Sequence, residues 1–490
     1  MTAHDAEPGT TPLTGRVRTV ETIGIEIVAD SERKGQPRQL FWPWFGANVS
    51  VFGLSYGSFG LYFGVSFWQA LVAGTLGIVA SFLLCGFVAL AGKRGSAPTM
   101  VLSRAAFGVR GNRVPAALSW VLTVGWETAL TILATLATAT VFDELGWSSG
   151  TATKVIALVV VAALIIAGGF AGFDVIMRMQ TVITIVTGVL TVVYLVVVSG
   201  NIDWGTVSAL PAGHWQPVVG CFVLFLTGFG ISWVNAAADY SRYLPRRSSG
   251  GGVIGWTTVG GALAPVLLLV FGLLLAGSSP TLQTKIGEDP VGALAGLLDT
   301  WALVPFLIVA VLGLVGGAVL DIYSSGLALL AAGVRLPRPV AALVDGVVMV
   351  VGSIYVVFFA DDFVGQFQGF LITLGVPIAG WCGVMLADLV LRRRDYDADA
   401  LFDAGGRYGD VRSLPMVALV AGTALGWGLV TNTMADWLTW QGYLLDPFGL
   451  GGKQGDWAGA GLGVLVSLAV GFVVVLVGSR GAVRRQEQRA

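Results

Sequence analysis

Histidine is almost missing from this chain of 490 residues: His4 and His214 are its two copies, and neither falls in an apolar stretch. Cysteine is nearly as scarce. Cys85, Cys221 and Cys382 each stand alone inside an apolar run, so the spacing spells out neither a disulfide nor a metal knuckle. No glycine-rich phosphate loop followed by Lys occurs either. These shortages argue against a membrane metalloenzyme, a redox centre and an ATP-driven pump, and no cofactor is expected. Charge is the third deficit, with 12% of residues Asp, Glu, Lys or Arg where an ordinary soluble domain has about 25%. The net charge of −1 and the scatter of cations into short fringes leave no basic patch for nucleic acid.

What is present is apolar length. Hydrophobic residues make up 55% of the chain and the mean hydropathy is +0.80. Apolar runs repeatedly reach the roughly 20 residues a helix needs to cross a hydrocarbon core. Twelve such spans are predicted, over residues 42–63, 67–91, 116–142, 155–170, 175–198, 217–238, 253–276, 303–332, 340–360, 363–391, 414–434 and 458–477. Cytoplasmic loops of membrane proteins concentrate Lys and Arg. With the amino terminus inside, 25 of the 28 basic residues fall on the inner side, leaving Lys154, Lys285 and Lys453 outside. A miscounted span would scramble that partition. The expectation is a multi-pass protein of the plasma membrane with both termini cytoplasmic. No apolar run precedes Leu40, so no cleavable signal peptide is expected and the first span serves as the targeting signal.

The expected organisation is a cytoplasmic tail (1–40), spans 1–5 (41–200), spans 6–10 (214–392), a cytoplasmic loop (393–413), spans 11 and 12 (414–478) and a second tail (479–490). Spans 1 and 6 stand out. Span 1 carries Gly53, Ser55, Gly57 and Gly60 near its middle, and span 6 carries Thr227, Gly228, Gly230 and Ser232. Glycine weakens a helix by about 1 kcal/mol relative to alanine. Interrupted spans at matching places in two halves are the pointer to an inverted-repeat transporter with a midplane site. Glycine equally serves close helix packing, and both readings stay open for each residue.

An ionisable side chain at bilayer depth costs about 2.5 to 3.5 kcal/mol on insertion scales and asks for a function. Glu127 in span 3 and Asp321 in span 8 are the two candidates. Either could accept hydrogen bonds from a solute or take a proton that travels with it; a structural bond to a neighbouring helix is the alternative. Asp345, Asp361, Asp362 and Asp388 fall near span ends and are expected to be solvated, with Asp388 facing Arg392, Arg393 and Arg394. Trp126, Phe229 and Trp233 lie in the spans expected to surround the centre, where aromatic side chains can sandwich a flat ring.

These residues resemble a known family. Trp44-Phe-Gly-Ala-Asn48 with Ser55-Tyr-Gly57-Ser-Phe-Gly60, Ser103-Arg-Ala-Ala-Phe-Gly108, Gly125-Trp126, Ala238-Asp239-Tyr-Ser-Arg-Tyr243 and Ala387-Asp388 with its basic run are similar to the nucleobase:cation symporter-1 family, in its purine-cytosine permease branch. The likeness runs from about residue 23 to residue 396. It implies an all-α integral membrane fold with a LeuT-like five-plus-five inverted repeat and two peripheral helices. It further implies a monomeric secondary active transporter importing a nucleobase or related heteroaromatic compound by cation symport. An allantoin, hydantoin or ring-containing vitamin substrate, and an uncoupled facilitator, remain as alternatives. Carried over by position, Trp126 matches the family's helix-3 tryptophan, Phe229, Gly230 and Ser232 its helix-6 contacts, and Ser55 a helix-1 contact of fungal members. Gln180 sits near a position that is Glu in fungal members, and Asp321 falls where many members have a substrate-binding Asn. Sodium-coupled members carry hydroxyl side chains about five residues before that Asn, where this chain has Val315, Gly316 and Gly317. These departures from the family pattern favour a proton over sodium as the coupled ion, and Glu127 and Asp321 as added carboxylates suit proton coupling or a more cationic solute.

Overall fold

In a hydrocarbon layer every backbone N–H and C=O needs an internal partner. The computed structural model, which describes residues 21, 23–360 and 363–488, meets that demand with helices and turns, and no strand occurs among the described residues. His4, Asp361 and Asp362 lie outside them. Nine described helical segments are long and apolar enough to cross a membrane: Phe67–Gly95, Arg113–Glu144, Thr151–Ala171, Phe173–Asn201, Trp215–Ser241, Gly250–Ser278, Thr300–Ala331, Arg338–Phe359 and Gly365–Leu391. They correspond to spans 2–10. Span 1 is the broken pair Phe41–Asn48 and Phe52–Leu61. Span 11 is the shorter helix Ser413–Gly428, and span 12 is Leu462–Gly478, bent by 58° into Arg480–Gln488. The chain is thus an all-α integral membrane protein. Span 11 stops six residues earlier than expected: residues 429–434 leave the helix, and Asn432 turns back to donate to the Gly369 carbonyl at 2.8 Å.

Local sequence explains the sharper ends. Ser66 opens span 2 with a capping box, accepting the Gln69 N–H at 3.3 Å while Gln69 accepts the Ser66 N–H at 3.0 Å. Spans 4 and 5 are separated by Gly172 alone, at φ +94°, a left-handed conformation that favours glycine. Exposed apolar residues on span 5, such as Ile185, Val189, Val192 and Val196, recur every three or four positions and form a lipid face. Trp68, Trp147, Trp204, Trp215, Trp301 and Trp437 are exposed at the Arg-poor ends of the spans, where an aromatic belt belongs.

Packing sorts the spans into three groups. Span 7 lies against spans 1 and 2, and span 6 joins them through span 2; span 8 lies along span 3 and also packs on spans 4, 5 and 9; spans 10, 11 and 12 pack on one another. The described part of the segment before span 1 packs on the bundle. Val28 is buried and its N–H donates to the Ser96 carbonyl at 2.8 Å, and Lys34 N–H donates to the Tyr243 carbonyl at 2.8 Å. This segment straps the Arg-rich face.

The two unusual spans are both interrupted, but span 1 not where its glycines suggested. The break falls at Val49, Ser50 and Val51, and residues 53–60 are helical. A Cβ on Gly57 would lie 2.2 Å from the Gly272 carbonyl carbon and 2.3 Å from Leu273 N of span 7. Those glycines serve backbone contact between helices. Span 6 breaks where expected: the helix ends at Gly228, Phe229 has φ −112° and ψ −105°, and short 3-10 turns follow to Ala236. Both breaks are buried in protein, where irregular backbone is tolerated at membrane depth.

Candidate substrate-binding site

Aromatic side chains gather around the interruption of span 6. Phe229 lies 4.6 Å, centroid to centroid, from Tyr56 of span 1, and Trp126 of span 3 meets Phe367 of span 10 edge-on at 4.9 Å. Tyr56 and Phe367 line a cavity of about 680 Å³, with Leu133, Thr227, Gly228 and Leu371 among the other walls. The cavity reaches the Arg-poor face, where exposed Glu288 and Thr433 border it. Its size falls within the roughly 300–1,000 Å³ of small-molecule sites.

None of the eight sequence-predicted site residues lines this cavity directly. Trp126 and Phe229 stand immediately behind it, through Phe367 and Tyr56 respectively. Two buried polar atoms without an intramolecular hydrogen bond belong to this region: Thr227 Oγ1 on the wall and Trp126 Nε1 behind it. Such atoms are rare in native folds and are what the ring nitrogens and oxygens of a bound solute can satisfy.

The other predicted residues serve different contacts. Ser55 is buried on the outer half of span 1 and donates to the Pro290 carbonyl at 3.3 Å, tying that half-helix to the connection between spans 7 and 8. Gly230 N–H donates to Ser81 Oγ at 3.0 Å, and a Cβ there would lie 2.3 Å from the Ser81 carbonyl carbon, so glycine lets span 6 touch span 2. Ser232 donates to the Thr227 carbonyl at 2.7 Å, across the break. Gln180 Nε2 donates to the Gly316 carbonyl at 2.6 Å, and its Oε1 would lie 2.4 Å from a Cβ on Gly46. Gln180 thus bridges spans 5 and 8 beside the first half of span 1, away from the cavity.

Glu127 and Asp321 are both buried, each with one oxygen lacking a hydrogen-bond partner. Adjacent residues on a helix project about 100° apart, so Trp126 faces span 10 while Glu127 faces span 8, where its Oε2 accepts from Ser325 Oγ at 3.2 Å. Asp345 corrects the expectation of a solvated span end. It is fully buried and accepts Trp120 Nε1–H at 2.7 Å and Ser325 Oγ–H at 2.8 Å. Asp388 has the expected partner without the expected solvent: it is buried and takes a bidentate bond from Arg392 at 2.9 and 2.7 Å. Sequence reasoning missed Tyr56, Phe367, Ser325 and Asp345.

Among the described residues no cluster of His, Cys, Asp and Glu is arranged to hold a metal ion. On the Arg-rich face a second polar network closes the bundle. Glu21 Oε1 accepts from Arg242 Nη2 at 3.3 Å, from the Tyr323 hydroxyl at 3.3 Å and from the Tyr243 hydroxyl, and Oε2 accepts the Phe173 N–H at 2.7 Å. Arg338 lies 3.9 Å away. The bundle is therefore open to solvent on the Arg-poor face and latched on the other.

Comparison with known proteins bears on this arrangement. The family described as permease for cytosine/purines, uracil, thiamine, allantoin matches residues 27–444. This extends past residue 396, where the motif likeness ended. A Bacillus subtilis protein provisionally named purine-cytosine permease YxlA is 25% identical over 418 residues, 82% of this chain and 86% of its own. The purine-cytosine permease FCY2 of Saccharomyces cerevisiae is 23% identical over 406 residues, covering 77% and 72%. In three dimensions the chain is similar to Mhp1, a nucleobase-cation-symport-1 family transporter, in a closed conformation with bromovinylhydantoin bound, at a TM-score of 0.67 and 18% identity over 97% of this chain and 99% of that one. A Na+-coupled sialic acid symporter shares the fold at a TM-score of 0.60 and 10% identity, covering 92% and 91%.

Proposed function

Because the chain belongs to the family of permeases for cytosine/purines, uracil, thiamine and allantoin and is a membrane transporter, not an enzyme, we propose that it imports a nucleobase or related heteroaromatic ring of the purine and cytosine class by symport with a proton. The observation that carries this reading is the interrupted span 6 at the floor of an aromatic cavity, with Thr227 Oγ1 and Trp126 Nε1 free to bond a solute. A flat ring enters from the Arg-poor side, taken as the exterior, and stacks against Tyr56 and Phe367, with Phe229 and Trp126 packed behind them. Each aromatic pairing adds about 0.5 to 1.5 kcal/mol beyond area burial. Release follows on the cytoplasmic side, which holds both termini, after the latch at Glu21 opens and the outer half of span 1 closes over the cavity. The working unit is a monomer in the plasma membrane.

Proton coupling has two supports. Glu127 of span 3, next to Trp126 in sequence, and Asp321 of span 8 are buried carboxylates within the spans. Span 8 meets the break in span 1 with Gly313 and the end of the first half-helix with Gly316 and Gly317, and the Gln180 amide already donates to the Gly316 carbonyl, leaving few side-chain oxygens for a hard cation. A second substrate class, hydantoin or allantoin, draws support from the hydantoin bound to Mhp1.

Uptake by purified protein in proteoliposomes tests the reading. Labelled adenine, hypoxanthine, cytosine and allantoin are offered under an imposed pH gradient or an imposed sodium gradient. Accumulation of one of these compounds under the pH gradient is expected. Accumulation that follows sodium alone refutes proton coupling, and counterflow without accumulation under either gradient identifies a facilitator.

A further inference from the structure

Side chains of spans 3, 8 and 9 meet on the side of Glu127 turned away from the cavity. Ser325 Oγ lies 3.2 Å from Glu127 Oε2, 2.8 Å from Asp345 Oδ2 and 3.2 Å from the Ile322 carbonyl. Trp120, two turns before Glu127 on the same face of span 3, donates its indole N–H to the other oxygen of Asp345 at 2.7 Å. All three carboxyl and hydroxyl residues are buried.

Counting protons limits what this cluster can be. One hydroxyl hydrogen serves one acceptor at a time, and three acceptors surround it. When Ser325 donates to Asp345, both oxygens of Asp345 are bonded as a carboxylate. Glu127 Oε2 then faces an oxygen with no hydrogen left to offer, and the contact is a bond only when Glu127 supplies its own proton. The opposite assignment, with Asp345 protonated and Ser325 donating to Glu127, needs the same single proton. Among the described residues no Lys or Arg pairs with either group. The other titratable group facing Glu127 is Asp321 of span 8, also acidic. Span 4 contributes Lys154, at its opposite end; span 10 contributes Cys382 and Asp388, the latter bound to Arg392; and on span 9 itself Arg338 lies against Glu21. Two bare carboxylates on one hydroxyl, without a cation, repel each other.

We propose that Glu127, Ser325 and Asp345 form a single proton-holding bridge that carries one proton between two carboxyl groups when loaded, with Asp345 of span 9 as its cytoplasmic end. The pair then has a charge of −1 loaded and −2 after release, and the proton that leaves goes to water reaching Asp345. Both carboxyl groups lie against one Ser325 hydroxyl, and Asp345 also accepts from Trp120, which stands two turns nearer the Arg-rich end of span 3 than Glu127. The bridge therefore leads from mid-membrane towards the cytoplasm. This rests on the proton-symport reading and deepens it by naming Asp345, with Ser325 as the link, in preference to Asp321.

The test uses the full chain in proteoliposomes, with Asp345→Asn, Ser325→Ala and Ser325→Thr beside wild type. Asp345→Asn and Ser325→Ala should lose about tenfold or more of pH-driven accumulation, while counterflow, which moves no net proton, falls far less; Ser325→Thr keeps the hydroxyl and retains both. Infrared difference spectra supply a readout independent of transport: a protonated carboxyl band that shifts in D2O, vanishes in Glu127→Gln and moves in both Asp345→Asn and Ser325→Ala. Wild-type accumulation in Asp345→Asn, or a carboxyl band indifferent to Asp345→Asn and Ser325→Ala, overturns the bridge. Should Asp345→Asn fail to fold, Ser325→Ala decides by the same two readouts. If wild type itself shows no pH-driven accumulation, the symport reading fails, and the infrared band alone still decides whether the two carboxyls share a proton.

Discussion

Replacing Glu21 by Gln should loosen the Arg-rich face without touching the cavity. The carboxylate accepts from Arg242, Tyr243, Tyr323 and the Phe173 N–H and faces Arg338, so one side chain ties the strap before span 1 to spans 5, 6, 8 and 9. The amide keeps one oxygen and removes the negative charge beside two guanidinium groups whose side chains are 0% and 1% exposed. Breaking a buried ion pair from one side costs about 3–5 kcal/mol. Arg242 retains the Gly24 carbonyl at 2.7 Å and the Tyr323 and Tyr243 hydroxyls at 2.8 and 3.1 Å, which places the loss at the lower end. About 3 kcal/mol corresponds to a roughly hundredfold larger opening constant. Hydrogen–deuterium exchange in lipid nanodiscs reads this directly, because the Val28 and Lys34 amides are bonded to Ser96 and Tyr243 only while the strap is down. Exchange at those amides should accelerate roughly a hundredfold, with the core of spans 3 and 8 unaffected. Unchanged exchange at Val28 and Lys34 would show that Glu21 contributes no closing energy.

Two further substitutions separate packing from binding. Gly57→Ala drives a methyl group into the backbone of Gly272 and Leu273, and overpacking of that kind costs about 1–3 kcal/mol; a lowered unfolding temperature is expected, whereas Gly255→Ala, with nothing within 4 Å, should be neutral. Trp126→Ala removes the ring against Phe367 and should weaken the Kd for the transported ring compound by about tenfold in equilibrium binding, with Trp126→Phe recovering most of it.

Much of the fold was legible because lipid imposes a length and loops impose a charge asymmetry. Spans 2–10 and the exposed Trp belt follow from those two constraints, and the break in span 6 was announced by Thr227-Gly228-Phe229-Gly230. Span 1 shows where the signal becomes ambiguous. Glycine marks a weak helix and a close approach alike, and residues 53–60 stay helical because span 7 presses its backbone on them, while the break occupies Val49-Ser50-Val51, with no glycine at all. The site was harder to read. Trp126 and Glu127 are neighbours in sequence but belong to different interfaces, since a helix turns one towards span 10 and the other towards span 8. Asp345 resembled a solvated span end because its partners, Trp120 and Ser325, come from spans 3 and 8, and nothing in its own span names them.

Coupling itself is tested most directly by following protons instead of substrate. Proteoliposomes containing the purified protein and a trapped pH indicator, clamped at zero membrane potential in sodium-free buffer, receive the transported ring compound from outside with no imposed pH gradient. Acidification of the lumen on addition, absent in Glu127→Gln, is the predicted result. Entry of labelled compound without acidification, or only once sodium is supplied, would contradict proton symport.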